Sequence, residues 1–245
     1  MTDLWDELRR TTRARIGLGR AGNALPTSAE LEFRTAHAAA RDAVHAELDV
    51  AALSTRLVAL GLGTPVHVPS RAADRGEYLR RPDLGRETDA ALEPAPADLA
   101  VVLADGLSAA AVEAHAVPLL EHLLPALELI VAVPVIATQA RVALGDRIGA
   151  ALGVRAVVVL IGERPGLTVN DSLGAYLTYA PRPGRTDAER NCVSNIHGHG
   201  LGYPAAARVI TGLLRGAFAI GESGVRMKDR SRHAIGVADQ PAVEQ

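Results

Sequence analysis

Cysteine, lysine and aromatic residues are scarce in this chain of 245 residues. Cys192 is its single cysteine, which excludes an internal disulfide and any metal site built from several cysteines. Lys228 is its single lysine. A P-loop needs a Gly-Lys-Ser/Thr step and a Schiff base needs a buried lysine, so both kinds of site are excluded.

Long apolar runs and a charge imbalance are also missing. The longest runs are Leu99–Ala104, Leu129–Thr138 and Ala156–Gly162, well short of the roughly 18–20 residues that span a bilayer. With 28 acidic and 26 basic residues the net charge is -2, so composition does not favour nucleic acid or an anionic membrane as the main partner. Residues 1–15 lack the apolar core of a secretory signal. We therefore expect a globular cytoplasmic protein.

The first third of the chain reads as helical. Residues 2–62 show helical patterning, and the capping-box sequence Thr27–Glu30 predicts a helix that continues to about Leu48. Residues 64–97 contain five prolines and predict a connector with one short strand at Val66–Val68.

From residue 98 onward, apolar segments of strand length alternate with helical patterns. This alternation predicts an α/β fold: a helical N-terminal region (1–97), a Rossmann-like doubly wound parallel sheet (98–225), and a disordered tail (226–245). The predicted strands are Leu99–Ala104, Leu129–Thr138, Arg155–Ile161, Leu173–Ala180 and Cys192–Ile196, and the predicted helices are Ser108–Leu127, Arg141–Leu152 and Pro204–Ile220.

Turn residues and polar groups follow most of these strands. They form the segments Asp105–Ser108, Gly162–Gly166, Pro181–Arg182 and Ser194–Gly200. Ligands of open parallel sheets bind outside the carboxyl ends of the strands, so we expect the binding face at this edge.

Two glycine-rich segments are candidates for phosphate or dinucleotide sites. Gly17–Gly22 fits G-x-G-x-x-G, but a charged helical segment precedes it, so a loop that ends a helix is the better interpretation. Gly198–Gly202 follows a predicted strand and precedes a helix, where backbone N–H groups can bind an anion or an amide oxygen. The alternative interpretation of Gly198–Gly202 is an ordinary turn between a strand and a helix.

Cys192, His197, His199 and Glu163 could suggest covalent catalysis or a metal site. A strand cysteine five residues before a histidine cannot easily meet it, and no carboxylate or cysteine lies at ligand spacing from the two histidines. Cys192 is therefore a packing residue or lines the ligand edge. Glu163 either forms an ion pair with Arg164 or faces solvent, or it positions a ligand at the end of a buried strand.

Several motifs together resemble the small (light) subunit of ethanolamine ammonia-lyase. They occur in the right order from about residue 4 to 225. They are Leu8–Thr12, Ala14–Gly22, Tyr78–Arg86, Asp105–Ser108, Gly162–Leu167 and Cys192–His197.

The resemblance implies a role in a two-subunit enzyme that converts ethanolamine to acetaldehyde and ammonia with adenosylcobalamin. It implies that a large barrel subunit holds the substrate and that the corrin lies at the subunit interface. It also implies that the N-terminal helices contact the large subunit, in an assembly of six large and six small chains.

Carried over by matching motifs, the resemblance implies cobalamin contacts at Val142, Glu163 and Cys192. It implies no catalytic residue and no metal ligand from this chain. Cobalamin proteins in which a histidine displaces the dimethylbenzimidazole base from cobalt carry the motif Asp-x-His-x-x-Gly. This motif is missing here, because His197 stands where the aspartate would be. We therefore predict base-on binding.

Two other functions stay open, a nicotinamide-dependent oxidoreductase and a non-catalytic regulatory Rossmann-like subunit. Some family members carry a longer N-terminal extension that addresses the enzyme to a bacterial microcompartment. This chain starts almost directly at its first helix, so we expect the free cytoplasmic form.

Overall fold

The computed structural model describes residues 4–12 and 14–227. Most of the predicted tail, residues 228–245, lies outside them. Met227, within that predicted tail, is buried against the core.

The N-terminal part contains the helices α1 (Leu4–Thr11), α2 (Thr27–His45) and α3 (Val50–Ala59). The predicted capping box at Thr27–Glu30 is wrong, because Pro26 is the N-cap and no side chain caps the helix. Pro26 has the φ of −57° that its ring imposes, which leads the chain directly into the first turn. Helix α3 is capped by Asp49, whose carboxylate accepts the Ala52 N–H at 2.9 Å.

Among the described residues, six strands form one sheet in the order β1-β3-β2-β4-β5-β6. The predicted strands are present, with shifted ends in most cases, and the short N-terminal strand joins the sheet at one edge beside β3. Their bounds are β1 (Val66–Pro69), β2 (Leu99–Ala104), β3 (Val135–Thr138), β4 (Ala156–Gly162), β5 (Leu173–Tyr179) and β6 (Arg190–Ile196).

The sheet is only mostly parallel. β1, β3, β2 and β4 run parallel, but β5 is antiparallel to both β4 and β6, so the prediction of a wholly parallel sheet is wrong. Ten residues (163–172) join β4 to β5, fewer than the dozen or more that a parallel crossover needs. Because β5 runs the other way, Pro181–Arg182 lies at the opposite edge from the other predicted binding loops, which corrects that expectation.

Helices cover both faces of the sheet. α5 (Ala109–Leu123) and α7 (Tyr203–Ile220) pack on one face, and α6 (Leu144–Leu152) packs on the other. β2 and β4 are buried at every position, as expected for strands with covered faces. A short helix, α4 (Arg75–Arg80), and a 3-10 turn at Leu84–Arg86 follow β1. No helix among residues 4–12 and 14–227 has both the length and the apolar character that a membrane span requires.

Candidate functional site

The carboxyl ends of β1–β4 meet at one edge of the sheet, and β6 ends there as well. The loop after β2 crosses directly over the end of β4, where the Leu107 N–H donates to the Gly162 carbonyl at 2.9 Å. A Cβ at Gly162 would lie 2.0 Å from the Ser108 carbonyl oxygen, so this crossing requires glycine. The close approach places the loop after β2 beside the loop after β4.

A cavity of about 460 Å³ lies at this edge. It brings together two of the three residues that the resemblance singled out, Val142 and Glu163. Val142 lies in the turn directly before α6, and Glu163 directly follows β4. The lining residues are Tyr78, Gly106, Leu107, Arg141, Val142, Ile161, Gly162, Glu163, Arg164 and Tyr176.

The Glu163 carboxylate is held by its neighbours. The Ser172 hydroxyl donates a short hydrogen bond to Oε2, and the Asn195 N–H donates to the same oxygen at 3.2 Å. A Cβ at Gly174 would lie 3.1 Å from Oε1, so the missing side chain leaves space for the carboxylate. Glu163 is thus oriented as a fixed hydrogen-bond acceptor.

Cys192 lies in the middle of β6, opposite Tyr176 of β5. Tyr176 lines the cavity, so the third predicted residue stands beside the lining rather than in it. Partial desolvation, together with the charge of Glu163, raises the pKa of the Cys192 thiol, while hydrogen bonding with Tyr176 opposes this. Desolvation also raises the pKa of the Tyr176 hydroxyl. The pair presents neutral polar groups at physiological pH.

Tyr78 connects the N-terminal part to the site. Its ring is buried and contacts two guanidinium groups, with Arg141 Cζ at 4.1 Å and Arg75 Cζ at 4.7 Å from the ring centroid. Its hydroxyl donates to the Ala140 carbonyl at 3.2 Å. Burial raises the pKa of Tyr78 to about 12, so the hydroxyl remains a donor. These contacts position the loop after β3, which carries Val142.

Asp105, directly after β2, holds the same loop from the other side. Its carboxylate accepts the N–H groups of Gln139 at 2.7 Å and Ala140 at 2.9 Å, and Arg75 lies 3.5 Å away. The pKa of the Asp105 carboxyl is raised, because the effect of burial exceeds the opposing effects of the two N–H groups and Arg75. Gln139 has a φ of +51°, a conformation that the two hydrogen bonds help to hold.

A second cavity, of about 450 Å³, adjoins the first, because Arg141 and Val142 line both. Four arginines line it: Arg86, Arg141, Arg185 and Arg190. Its other lining residues are Pro82, Val142, Ala143, Thr186 and Asp187. The lining of the second cavity is therefore richer in basic residues than the chain as a whole.

The two histidines after β6 form a local turn. His197 is buried, and its Nε2 lies 2.8 Å from Asn195 Oδ1, while its Nδ1 accepts the His199 N–H at 3.3 Å. The predicted order of strand, glycine-rich turn and helix is confirmed, with α7 beginning at Tyr203. Within the described residues, no group of three or more histidine, cysteine or acidic side chains could hold a metal ion.

The other glycine-rich segment, Gly17–Gly22, is a loop between α1 and α2, as predicted. The segment before it is the helix α1, whereas a dinucleotide fingerprint needs a strand there. A Cβ at Gly17 would lie 2.4 Å from the Trp5 ring, so this glycine allows the loop to pack on α1.

Sequence reasoning missed several residues of the site. Tyr78 begins one of the motifs that carried the resemblance and Arg141 directly precedes Val142, yet no spacing rule showed that the two side chains meet. Tyr176 could be assigned only once its antiparallel pairing with Cys192 was known. A mostly parallel sheet covered by helices, with a polar-rimmed cavity across its strand ends, defines an α/β protein of the class in which ligands bind at the strand ends.

Comparisons with known proteins identify the family. Residues 2–228 match the family profile described as ethanolamine ammonia-lyase light chain (EutC). The chain is 56% identical to the ethanolamine ammonia-lyase small subunit of Rhodococcus erythropolis over 235 residues, which cover 94% of this chain and 91% of that protein. It is 57% identical over 236 residues to the protein of that name from Bradyrhizobium diazoefficiens (92% and 90% covered). The chain therefore belongs to the ethanolamine ammonia-lyase light-chain family.

Proposed function

We propose that this chain is the small subunit of an adenosylcobalamin-dependent ethanolamine ammonia-lyase, a carbon–nitrogen lyase, and that it binds the corrin. One observation carries the proposal. The fold brings Val142 and Glu163 into one cavity and places Cys192 next to its lining, although the three are separated by about 20 to 50 residues in sequence. Residues 98–225, joined by β1, would form the Rossmann-like cobalamin-binding domain.

The residues of the cavity fit a corrin. Leu107, Val142, Ile161 and Tyr176 supply apolar and aromatic surface, which suits the flat apolar faces of the ring. Glu163 offers an oriented acceptor for amide N–H groups, and Arg141 offers donors for amide carbonyls. Each cavity is open on one side and too small to enclose the whole ring, which favours a partner that covers the rest.

When bound, the cofactor supplies homolysis of its cobalt–carbon bond, and the substrate would lie in the large subunit. This chain's own part is to bind and orient. Glu163 and the Cys192–Tyr176 pair would fix the ring from one side through hydrogen bonds. His197 is already engaged with Asn195 and His199, which favours base-on binding over ligation of cobalt by a histidine.

The N-terminal helices offer a surface for the large subunit. Helix α1 has no buried residue, and α2 has one, Ala29. Their exposed large apolar side chains are Leu4, Trp5, Leu8, Leu31 and Phe33. Exposed clusters of this kind are typical of interfaces. We propose that this region binds the large subunit in a cytoplasmic assembly of six plus six chains.

Reconstitution tests the proposal directly. Acetaldehyde production from ethanolamine and adenosylcobalamin should require both the large subunit and this chain. Glu163→Gln should weaken adenosylcobalamin binding to the complex by roughly tenfold, the effect of losing charge-assisted hydrogen bonds. The matched control is Glu93→Gln, at an exposed position in the segment before β2. Full turnover by the large subunit alone, or unchanged binding in Glu163→Gln, would contradict the proposal.

A further inference from the structure

The second cavity carries positive charge that ion pairs among the described residues neutralise only in part. Two of its four arginines are paired: Arg185 with Glu189, and Arg190 with Asp146 at 2.6 Å and Asp187 at 3.4 Å. The other two, Arg86 and Arg141, have no carboxylate within 4.0 Å in the part of the chain that the structure describes. They are therefore free to neutralise an anion from outside.

Arg141 is fixed in place with unused donors. Its guanidinium stacks on Tyr78, and Nη2 donates to the Tyr78 carbonyl at 3.1 Å. Its Nε is buried and has no hydrogen-bond partner among residues 4–12 and 14–227. Because that atom is shielded from solvent, the donor left for a ligand is Nη1, which makes no hydrogen bond within the described residues.

The turn that carries Arg86 is held beside Arg141. The Arg141 N–H donates to the Gly85 carbonyl at 2.8 Å, and Arg147 Nε donates to the Arg86 carbonyl at 3.2 Å. A Cβ at Gly85 would lie 2.9 Å from Arg141 Cγ and 3.1 Å from the Gln139 carbonyl oxygen, so the approach requires a glycine. The backbone of the turn that carries Arg86 is thus fixed next to Arg141.

We propose that Arg86 and Arg141 bind a phosphate group, and that its source is the phosphodiester in the nucleotide loop of cobalamin. This inference rests on the proposed function, since it places the corrin in the first cavity, which shares Arg141 and Val142 with the second. Guanidinium groups match phosphate oxygens in charge and hydrogen-bond geometry. The pair would make the site selective for complete cobalamin over forms without the nucleotide.

The experiment compares two ligands on the assembled complex of large and small subunits. Adenosylcobalamin carries the phosphodiester, and adenosylcobinamide lacks it. Equilibrium dialysis, with absorbance as readout, gives a Kd for each and hence a cobinamide-to-cobalamin Kd ratio. We expect Arg86→Gln to lower this ratio roughly tenfold by weakening cobalamin binding alone. Arg86 is exposed, so the fold is not at risk, and Arg141→Lys tests the second position with its charge kept.

Two controls and one variant with the opposite expected effect separate this inference from the proposed function. Arg208→Gln, at an exposed position on α7 in the other helical layer, should leave both Kd values unchanged. Glu163→Gln should weaken both ligands alike and leave their ratio unchanged. Asp187→Asn removes an acidic residue from the cavity lining and should raise the ratio.

Each remaining outcome is decisive. If the wild-type complex binds cobalamin but Arg86→Gln does not change the ratio, the phosphate assignment is overturned and the proposed function stands. If the wild-type complex binds neither ligand, both fail. The last measurement is competition by inorganic phosphate at constant ionic strength. If it competes with cobalamin and not with cobinamide, the phosphodiester is supported, and if it binds without affecting either, the site takes free phosphate instead.

Discussion

Arg190 and Asp146 form a buried ion pair that ties β6 to α6, and its loss should destabilise the protein strongly. Both side chains are 2% exposed. The guanidinium donates to the two carboxylate oxygens at 2.6 and 2.7 Å, to Thr178 Oγ1 at 2.9 Å and from Nη2 to the Arg185 carbonyl at 2.9 Å. Burial lowers the pKa of Arg190, but the hydrogen bonds and charges of Asp146 and Asp187 outweigh burial and raise it, so the guanidinium stays charged.

The change to make is Asp146→Asn, which keeps the size and removes the charge. Breaking a buried pair from one side leaves an uncompensated charge and costs about 3–5 kcal/mol. In a domain of 150–250 residues this lowers the melting temperature by roughly 6–20 °C. Urea unfolding followed by far-UV circular dichroism measures the free energy of unfolding.

The same arginine supplies the control. Asp187 also pairs with Arg190, at 3.4 Å, but its side chain is fully exposed, so Asp187→Asn should leave the unfolding midpoint unchanged. The double variant Asp146→Leu/Arg190→Met should regain much of the lost stability, because no charge remains buried. A loss below about 1 kcal/mol in Asp146→Asn, or an equal effect in Asp187→Asn, would refute the reasoning.

Three further predictions concern the site. Gly162→Ala should lower the free energy of unfolding in urea by about 1–3 kcal/mol, because the new Cβ would lie 2.0 Å from the Ser108 carbonyl oxygen. The control Gly198→Ala should leave it unchanged, because nothing lies within 4 Å of a Cβ at that position. Tyr78→Phe should remove part of the stability loss between pH 10 and about 12, because only the unfolded chain ionises this hydroxyl in that window; equal pH profiles of melting temperature would contradict this. Cys192, with its raised pKa, should react with iodoacetamide at pH 8 more slowly than a free thiol, and adenosylcobalamin should slow the reaction further in the complex; a rate that the cofactor leaves unchanged would separate this thiol from the binding face.

Strand identity was predictable where burial leaves a continuous apolar run. β2 matches its predicted bounds, and β4 differs by one residue at each end, because both are covered on two faces. Strand direction was not predictable from apolarity, since parallel and antiparallel strands bury the same residue types. The short connection between β4 and β5 was the available signal.

The candidate site shows the same division. Glu163 could be placed at a strand end because a buried run stops directly before it, and the matching motifs named it together with Val142 and Cys192. Their meeting on one face depends on which strands are neighbours, and on Cys192 facing the same way as Tyr176. Side chains alternate between the two faces along β5 and β6, so which face Cys192 shares with Tyr176 follows only from the pairing register of the two strands.

The sequence by itself determined the α/β class, the family and the residues to examine, because local patterning and motif order are properties of the chain. Only the tertiary structure decided that Tyr78 from α4 stacks on Arg141, that Arg190 is neutralised by Asp146, and that Arg86 lies beside an unpaired guanidinium. These contacts join residues 40 to more than 60 positions apart. Close packing selects them in three dimensions, and no sequence period records such distances.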